Sequence, residues 1–397
     1  MKKSIVFSKS AIYIFLLVVF SILCLIYDEP KESLVLTLSI VIFIIIIKDR
    51  EKIFRECTVY NIVLSFILSY FVAVLFISTR GYSMNLSVIG RSKENNGKAV
   101  LLVYEGEPEM YSVEKGITNI YKNGTVKSKI FSPFILFENK RQYYKIGRSD
   151  YKRNTLKVAK ELETFLSEEF EVYISYLYDT DYVEEVLVKI ANDGYKNVII
   201  VPIFLTDDQN SKILKTRIEK MKLYNLNINV KYIDTLWNSE SIASIYESII
   251  IRNINLENVG NTGVILVGEG QIGYKKDKNL KALREDIMYR NRIKSKLLNE
   301  LGLYEHKIKL GWFKYVEPNY IDSLKNLLDY SVSEIVIIYT KPSVTNIENA
   351  IMSSSIRTKV DIPEGVKIII IDGFLDDSLF IYELKNRIEF INLQKWE

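Results

Sequence analysis

The chain has 397 residues, 48% of them hydrophobic, with 53 Lys and Arg against 49 Asp and Glu, one His and two Cys. A net charge of +4 gives no electrostatic ground for nucleic-acid binding. His306, Cys24 and Cys57 are too few for zinc fingers, covalent haem attachment, a Cys/His protease or a disulfide scaffold.

Three apolar stretches open the chain and predict transmembrane helices over about 11–27, 33–47 and 57–79. The third is long enough for the hydrocarbon core and the first is adequate. The second reaches only about 22 Å at 1.5 Å per residue, and spans if Lys31 and Lys48 snorkel or the bilayer thins. Lys2, Lys3 and Lys9 precede the first stretch, and Lys48, Arg50, Lys52 and Arg55 follow the second. The positive-inside rule then places both in the cytoplasm and residues 81–397 outside, as the extracytoplasmic part of a multi-pass cell-membrane protein. A re-entrant second stretch would reverse that side and strand four basic residues outside.

Residues 81–97, polar with Gly and Asn, read as a linker. Beyond them strands alternate with helices. Ala99–Tyr104 is a short apolar strand, Thr155–Ser167 a helix, Val172–Leu177 a strand, Val183–Asn192 a helix and Asn197–Phe204 a strand. Ile228–Ile233 (strand) and Ser239–Ile250 (helix) follow. The series restarts at Gly263–Val267, with a long helix at Lys281–Leu301, strand Lys307–Trp312, helix Tyr320–Leu328, strands Glu334–Tyr339 and Val366–Ile371, and helix Ser378–Ile388. The segments AVLLVYEGEP and GVILVGEGQI echo each other, as do the strand–loop–helix–strand blocks after them. The predicted fold class is α/β, with two similar lobes of parallel sheet flanked by helices, over 98–258 and 262–397. Ligands in such folds bind at the C-terminal ends of the strands.

Gly268-Glu269-Gly270-Gln271-Ile272-Gly273 fits G-x-G-x-x-G, but a polar loop follows where a dinucleotide site needs a helix. We read it as a strand-to-loop turn. Glu105 and Glu269 follow equivalent strands, each just before a glycine, and Glu348 follows a third strand by a short loop. Three carboxylates in one cleft can bind a cation or accept protons, although each alone also fits a solvated loop charge. His306, between a helix and a strand, reads as a surface residue.

Residues 98–390 resemble ferrochelatase in five collinear pieces. Leu101–Glu109 is similar to that family's first strand and turn, and Tyr144–Ser149 with Thr155 to its Y-x-x-I-G-G-S segment. Asp193-Gly194 with VIIVPIF, Gly311-Trp312 with Pro318, and Leu375–Ile381 resemble later family elements. Glu269 stands where the family carries its catalytic His. Glu348 matches the first Glu of its acidic motif, whose Thr and second Glu are absent here. The resemblance, which leaves the membrane stretches outside it, implies a protein of haem biosynthesis that inserts a divalent metal, Fe²⁺ foremost, into a porphyrin or other tetrapyrrole. Glu269 and Glu348 would be the catalytic and metal-binding pair, and Tyr104, Glu105, Gly106 and Ser149 would contact the tetrapyrrole. It implies no permanently bound cofactor. The lipid bilayer would be a partner, a further membrane protein stays unnamed, and nucleic acid is excluded. A tetrapyrrole- or metal-binding descendant without catalysis is the alternative.

Overall fold

The computed structural model describes residues 9–51, 53, 59–88, 95–270, 280–341, 347–371, 373–374 and 377–396. Cys57, the remainder of the glycine pattern (271–273) with the loop to 279, the loop at 342–346 and Leu375-Asp376 lie outside them. The chain divides into two compact units, residues 1–83 with 110–148, and residues 84–109 with 149–397.

The first unit contains three long apolar helices, α1 (Lys9–Ile26), α2 (Lys31–Lys48) and α3 (Val59–Ser78). On α3 the side chains of Ser65, Ser69, Ala73 and Ile77 are buried at four-residue spacing. The hydroxyls of Ser65 and Ser69 donate to the carbonyls of Ala11 (3.4 Å) and Phe15 (3.1 Å), so small residues let α3 approach α1 closely. Both bonds span 54 residues, so α1 and α3 run in the same direction.

The expectation of three membrane-crossing helices is corrected. Among the described residues only α3 is long and apolar enough to cross a membrane. The apolar part of α1, Ser10–Ile26, rises about 25 Å, short of the hydrocarbon thickness. α2 carries Lys31, Glu32 and Lys48 within its 18 residues. Multi-pass insertion is therefore not supported.

Three helices absent from the sequence reading complete this unit: α4 (Val113–Asn123), α5 (Val126–Ile130) and α6 (Ser132–Ile146). Ser112 and Thr125 cap α4 and α5, and Pro133 sits in the first turn of α6, where its missing N–H costs nothing. Tyr111 donates to the carbonyl of Ile26 (2.5 Å), and buried Lys140 donates to that of Tyr27 (2.6 Å) while pairing with Glu32 (3.0 Å). The stripe Val113, Ile117 and Ile120 of α4 was passed over, and basic residues interrupt the apolar pattern of α5 and α6.

The second unit is the duplicated α/β body. β1 (Asn95–Tyr104), β2 (Phe170–Tyr176), β3 (Tyr195–Pro202) and β4 (Asn229–Tyr232) form one sheet in the order β2-β1-β3-β4. β5 (Thr262–Gly268), β6 (Ile308–Trp312), β7 (Glu334–Tyr339) and β8 (Lys367–Ile371) form a second in the order β6-β5-β7-β8. Every pairing is parallel, and the two orders are the same permutation. β1 begins four residues before the expected Ala99, because the N–H of Asn95 reaches the carbonyl of Gly194 (3.1 Å).

The central strands are apolar on both faces, as parallel strands covered by helices must be. One face of each sheet packs on its own lobe's helices, α8 (Val183–Asn192) and α9 (Gln209–Met221) in the first, α12 (Tyr320–Leu328) and α13 (Ile347–Lys359) in the second. The inner faces share a single core. Val100, Leu102 and Ile199 of one sheet, and Val264, Leu266 and Val336 of the other, join it through α7 (Tyr151–Phe165), α10 (Glu240–Asn253), α11 (Leu280–Leu301) and α14 (Ser378–Asn392). α9 and α13, like α4–α6, were not read from the sequence.

Candidate functional site

Glu105 and Glu269 leave the C-terminal ends of the central strands β1 and β5. Each is followed by a glycine with a left-handed backbone, Gly106 at φ +81° and Gly270 at φ +86°. A Cβ on Gly270 would lie 1.9 Å from the carbonyl oxygen of Lys314, and one on Gly106 would lie 2.5 Å from Cβ of Tyr176. Both turns therefore require glycine for conformation and for space. The backbone N–H of Lys314 donates to the carbonyl of Glu269 (3.0 Å), and that of Tyr178 to the carbonyl of Glu105 (2.8 Å).

The two carboxylates meet at one ammonium. Lys341 Nζ lies 2.5 Å from Glu105 Oε2 and 3.1 Å from Glu269 Oε2. Lys341 comes two residues after β7, and its carbonyl accepts from the buried hydroxyl of Tyr246 (2.9 Å) on α10. Glu348, in the first turn of α13, pairs with Lys314 and accepts from the hydroxyl of Tyr339 (3.3 Å). The three predicted glutamates therefore belong to one cluster, arranged around Lys341 and Lys314. The sequence reading missed both lysines. Their signal was a charged residue within two positions of a strand's C-terminal end, as Glu105 and Glu269 are.

The electrostatics differ from side chain to side chain. Burial, with Glu269 adding repulsion against the pull of Lys341, holds the Glu105 carboxyl up at about 7. Its Oε1 accepts from the Asn210 amide (2.8 Å), which itself accepts from the Tyr178 hydroxyl (2.6 Å). Burial likewise raises Asp208 to about 6, with Glu269 adding to the effect, although Asp208 accepts from the Asn210 and Ser211 N–H groups at the start of α9. Glu348 is desolvated too, but Lys314 and Lys341 outweigh this and hold it below the usual carboxylate range. Lys341 is lowered by burial, but Glu105 and Glu269 outweigh this and raise it well above an ordinary lysine.

The other predicted contacts fall beside this cluster. Ser149 Oγ bonds Glu107, a residue that sequence reasoning passed over in the run EGEPE. Both Glu107 oxygens accept from the N–H of Ile347 at the start of α13 (3.2 Å each), and burial raises this carboxyl to about 7. Tyr104 is 2% exposed, its ring against Tyr151 and Tyr176 and its hydroxyl buried without a hydrogen-bond partner. Its side chain is thus a core group. Beneath Glu269, the fully buried Arg290 pairs with Asp286 (2.5 Å), donates to the carbonyls of Leu266 (3.1 Å) and Gly311 (2.8 Å), and stacks over Trp312 (3.9 Å). This clamp ties the ends of β5 and β6 below the site. His306 is exposed, as read from the sequence.

Among the described residues no three His, Cys, Asp or Glu side chains converge as a metal-holding group. The cluster as it stands pairs carboxylates with ammonium groups. It holds carboxyls that titrate near neutrality, which suits proton transfer better than permanent metal storage.

No protein-family model matches the chain. Ferrochelatase from Aquifex aeolicus (strain VF5) is 21% identical over 265 residues, covering 61% of this chain and 82% of its own length. The solved structure of SirB from Bacillus subtilis with Fe³⁺ superposes with a TM-score of 0.50 at 12% identity, over 75% of this chain and 96% of that one. The sirohydrochlorin chelatase SirB from Bacillus subtilis subspecies spizizenii in complex with cobalt gives 0.48 at 14% identity, over 74% and 94%. The two parallel sheets and their flanking helices thus form a chelatase-like fold.

Proposed function

We propose that the protein is a ferrochelatase-like enzyme, anchored to a membrane by α3, that inserts a divalent metal into a tetrapyrrole bound at the strand ends. The observation that carries this reading is the meeting of Glu105 and Glu269 on Lys341, with Glu348 and Lys314 beside them. Metal insertion releases two pyrrole protons for each divalent ion taken up. A carboxyl held at about 7, as Glu105 is, accepts such a proton near neutrality, where an ordinary glutamate is a weak base. Glu269 replaces the imidazole of the ferrochelatase pattern and, with Glu348, offers oxygen ligands to the incoming ion once Lys341 and Lys314 swing aside. Fe²⁺ is the metal this reading favours.

A second reading rests on a specific observation. Ammonium groups sit on all three glutamates, which favours tetrapyrrole binding without insertion. One experiment separates the two. The full chain in mild detergent is mixed with a porphyrin and Fe²⁺, Zn²⁺ or Co²⁺, and the absorption bands are followed. Conversion above the uncatalysed rate, abolished in Glu348→Gln with porphyrin affinity intact, supports the enzyme. Bound porphyrin with no conversion selects the binding protein, and no porphyrin binding at all removes both.

A further inference from the structure

We propose that the first unit holds one anionic phospholipid, its acyl chain in an apolar groove between α1, α3 and α6 and its headgroup on the lysines of α5. The proposal rests on the membrane anchoring by α3 put forward above and is independent of the chemistry at the strand ends.

Charge is the first observation. Between Met110 and Arg148 stand eight Lys and Arg against two Glu, in a chain whose whole net charge is only +4. The excess positive charge of the protein is therefore concentrated in the segment that forms α4–α6. Exposed apolar side chains are the second. Val126, Ile130, Phe131, Phe134 and Phe137 are exposed on α5 and α6, interleaved with Lys127 and Lys129. Basic residues among exposed aromatics on short helices are the composition of a segment lying in the headgroup region of a bilayer.

The groove is the third. It is a cavity of about 600 Å³, with Ile22, Phe66, Ile67, Phe71, Phe134 and Phe137 among its walls. Tyr70 also lines it, but its hydroxyl is spent on the carbonyl of Ile130 (2.7 Å), so it presents a ring and no donor. A volume of this size with apolar walls suits a flexible hydrocarbon chain. Phe66, Ile67 and Phe71 are about half exposed on the helix long enough to cross a membrane, so the groove is continuous with the surface that would face hydrocarbon. Tyr70 lies eight residues before the end of α3, about 12 Å along the axis, and Val74 four residues before it, about 6 Å, a depth from which long lysine side chains snorkel to the headgroups. The Lys129–Ile130 turn sits at that level, held by Tyr70 and by Tyr121, whose hydroxyl bonds the carbonyls of Val74 and Lys129. A cationic rim over an apolar slot complements an anionic headgroup with its chain.

The test uses the full chain reconstituted in phosphatidylcholine vesicles containing roughly a quarter phosphatidylglycerol, then released in mild detergent and weighed by native mass spectrometry. Phosphatidylglycerol should stay bound in excess of its share of the vesicle. Lys127→Glu with Lys129→Glu should reduce that preference about five-fold per lysine. Ile67→Trp, which fills the groove, should lower retention of both lipids. Retention in proportion to vesicle composition, or a preference unchanged by the charge reversal, overturns the lipid site. An alkaline wash of the vesicles separates the two failures: protein that stays inserted without lipid preference defeats the site alone, and protein released by the wash defeats the anchor as well.

Discussion

Glu105 and Glu269 occupy the same position in the two lobes and share one ammonium, yet their surroundings differ. Glu105 is walled in by Asn210, Tyr178 and Asp208 of its own lobe and is held at about 7. Glu269 lies over the Arg290–Asp286 clamp, on a turn whose glycine touches the Lys314 backbone. Duplication supplied two equivalent carboxylates, and the neighbours of Glu105 make it a proton acceptor near neutrality. Strand position assigns the residue its place, and the neighbours packed around it assign its chemistry.

Removing the shared cation should have the largest effect. Lys341→Met leaves two partly buried carboxylates facing each other and should cost about 3 kcal/mol in urea unfolding of the full chain in detergent. The loss should shrink toward pH 5, as Glu105 takes a proton. A deficit of the same size at every pH would separate the two carboxylates energetically.

The glycines test the turns. Gly270→Ala should cost about 2 kcal/mol or more, and more than Gly106→Ala, because its obstacle is a backbone carbonyl at 1.9 Å. Equal losses would show that the two turns are interchangeable.

The pH profile tests the asymmetry itself. With Glu105 raised from 4.5 to about 7, the native chain holds a proton between those values that the unfolded chain has released. Wild-type stability should therefore fall as pH rises across that window, and Glu105→Gln should lack this part of the fall. Parallel profiles for the two proteins would place the Glu105 carboxyl at its ordinary value. Ser149→Ala should give the smallest change, about 1 kcal/mol, by removing the hydroxyl that Glu107 accepts from.

The duplicated sheets were legible because parallel strands covered on both faces are short apolar runs, and because AVLLVYEGEP and GVILVGEGQI repeat. Glu105 and Glu269 were legible for the same reason, each being the first residue past such a run. Lys341, Lys314 and Glu107 were not, because their importance comes from what they meet across loops and lobes. The helices of residues 113–146 hid behind a basic composition, and the expected first and second spans failed on the length of α1 and the charged ends of α2.

The inner faces of both sheets are sealed into a single apolar core, and Tyr246 reaches from one lobe to grip the strand end of the other. Lobes joined this way resist swinging apart, since any such rotation would wet the residues that unite them. The spacing of the β1 and β5 ends, and with it that of Glu105 and Glu269, is therefore set by the shared core and not by the loops that follow the strands.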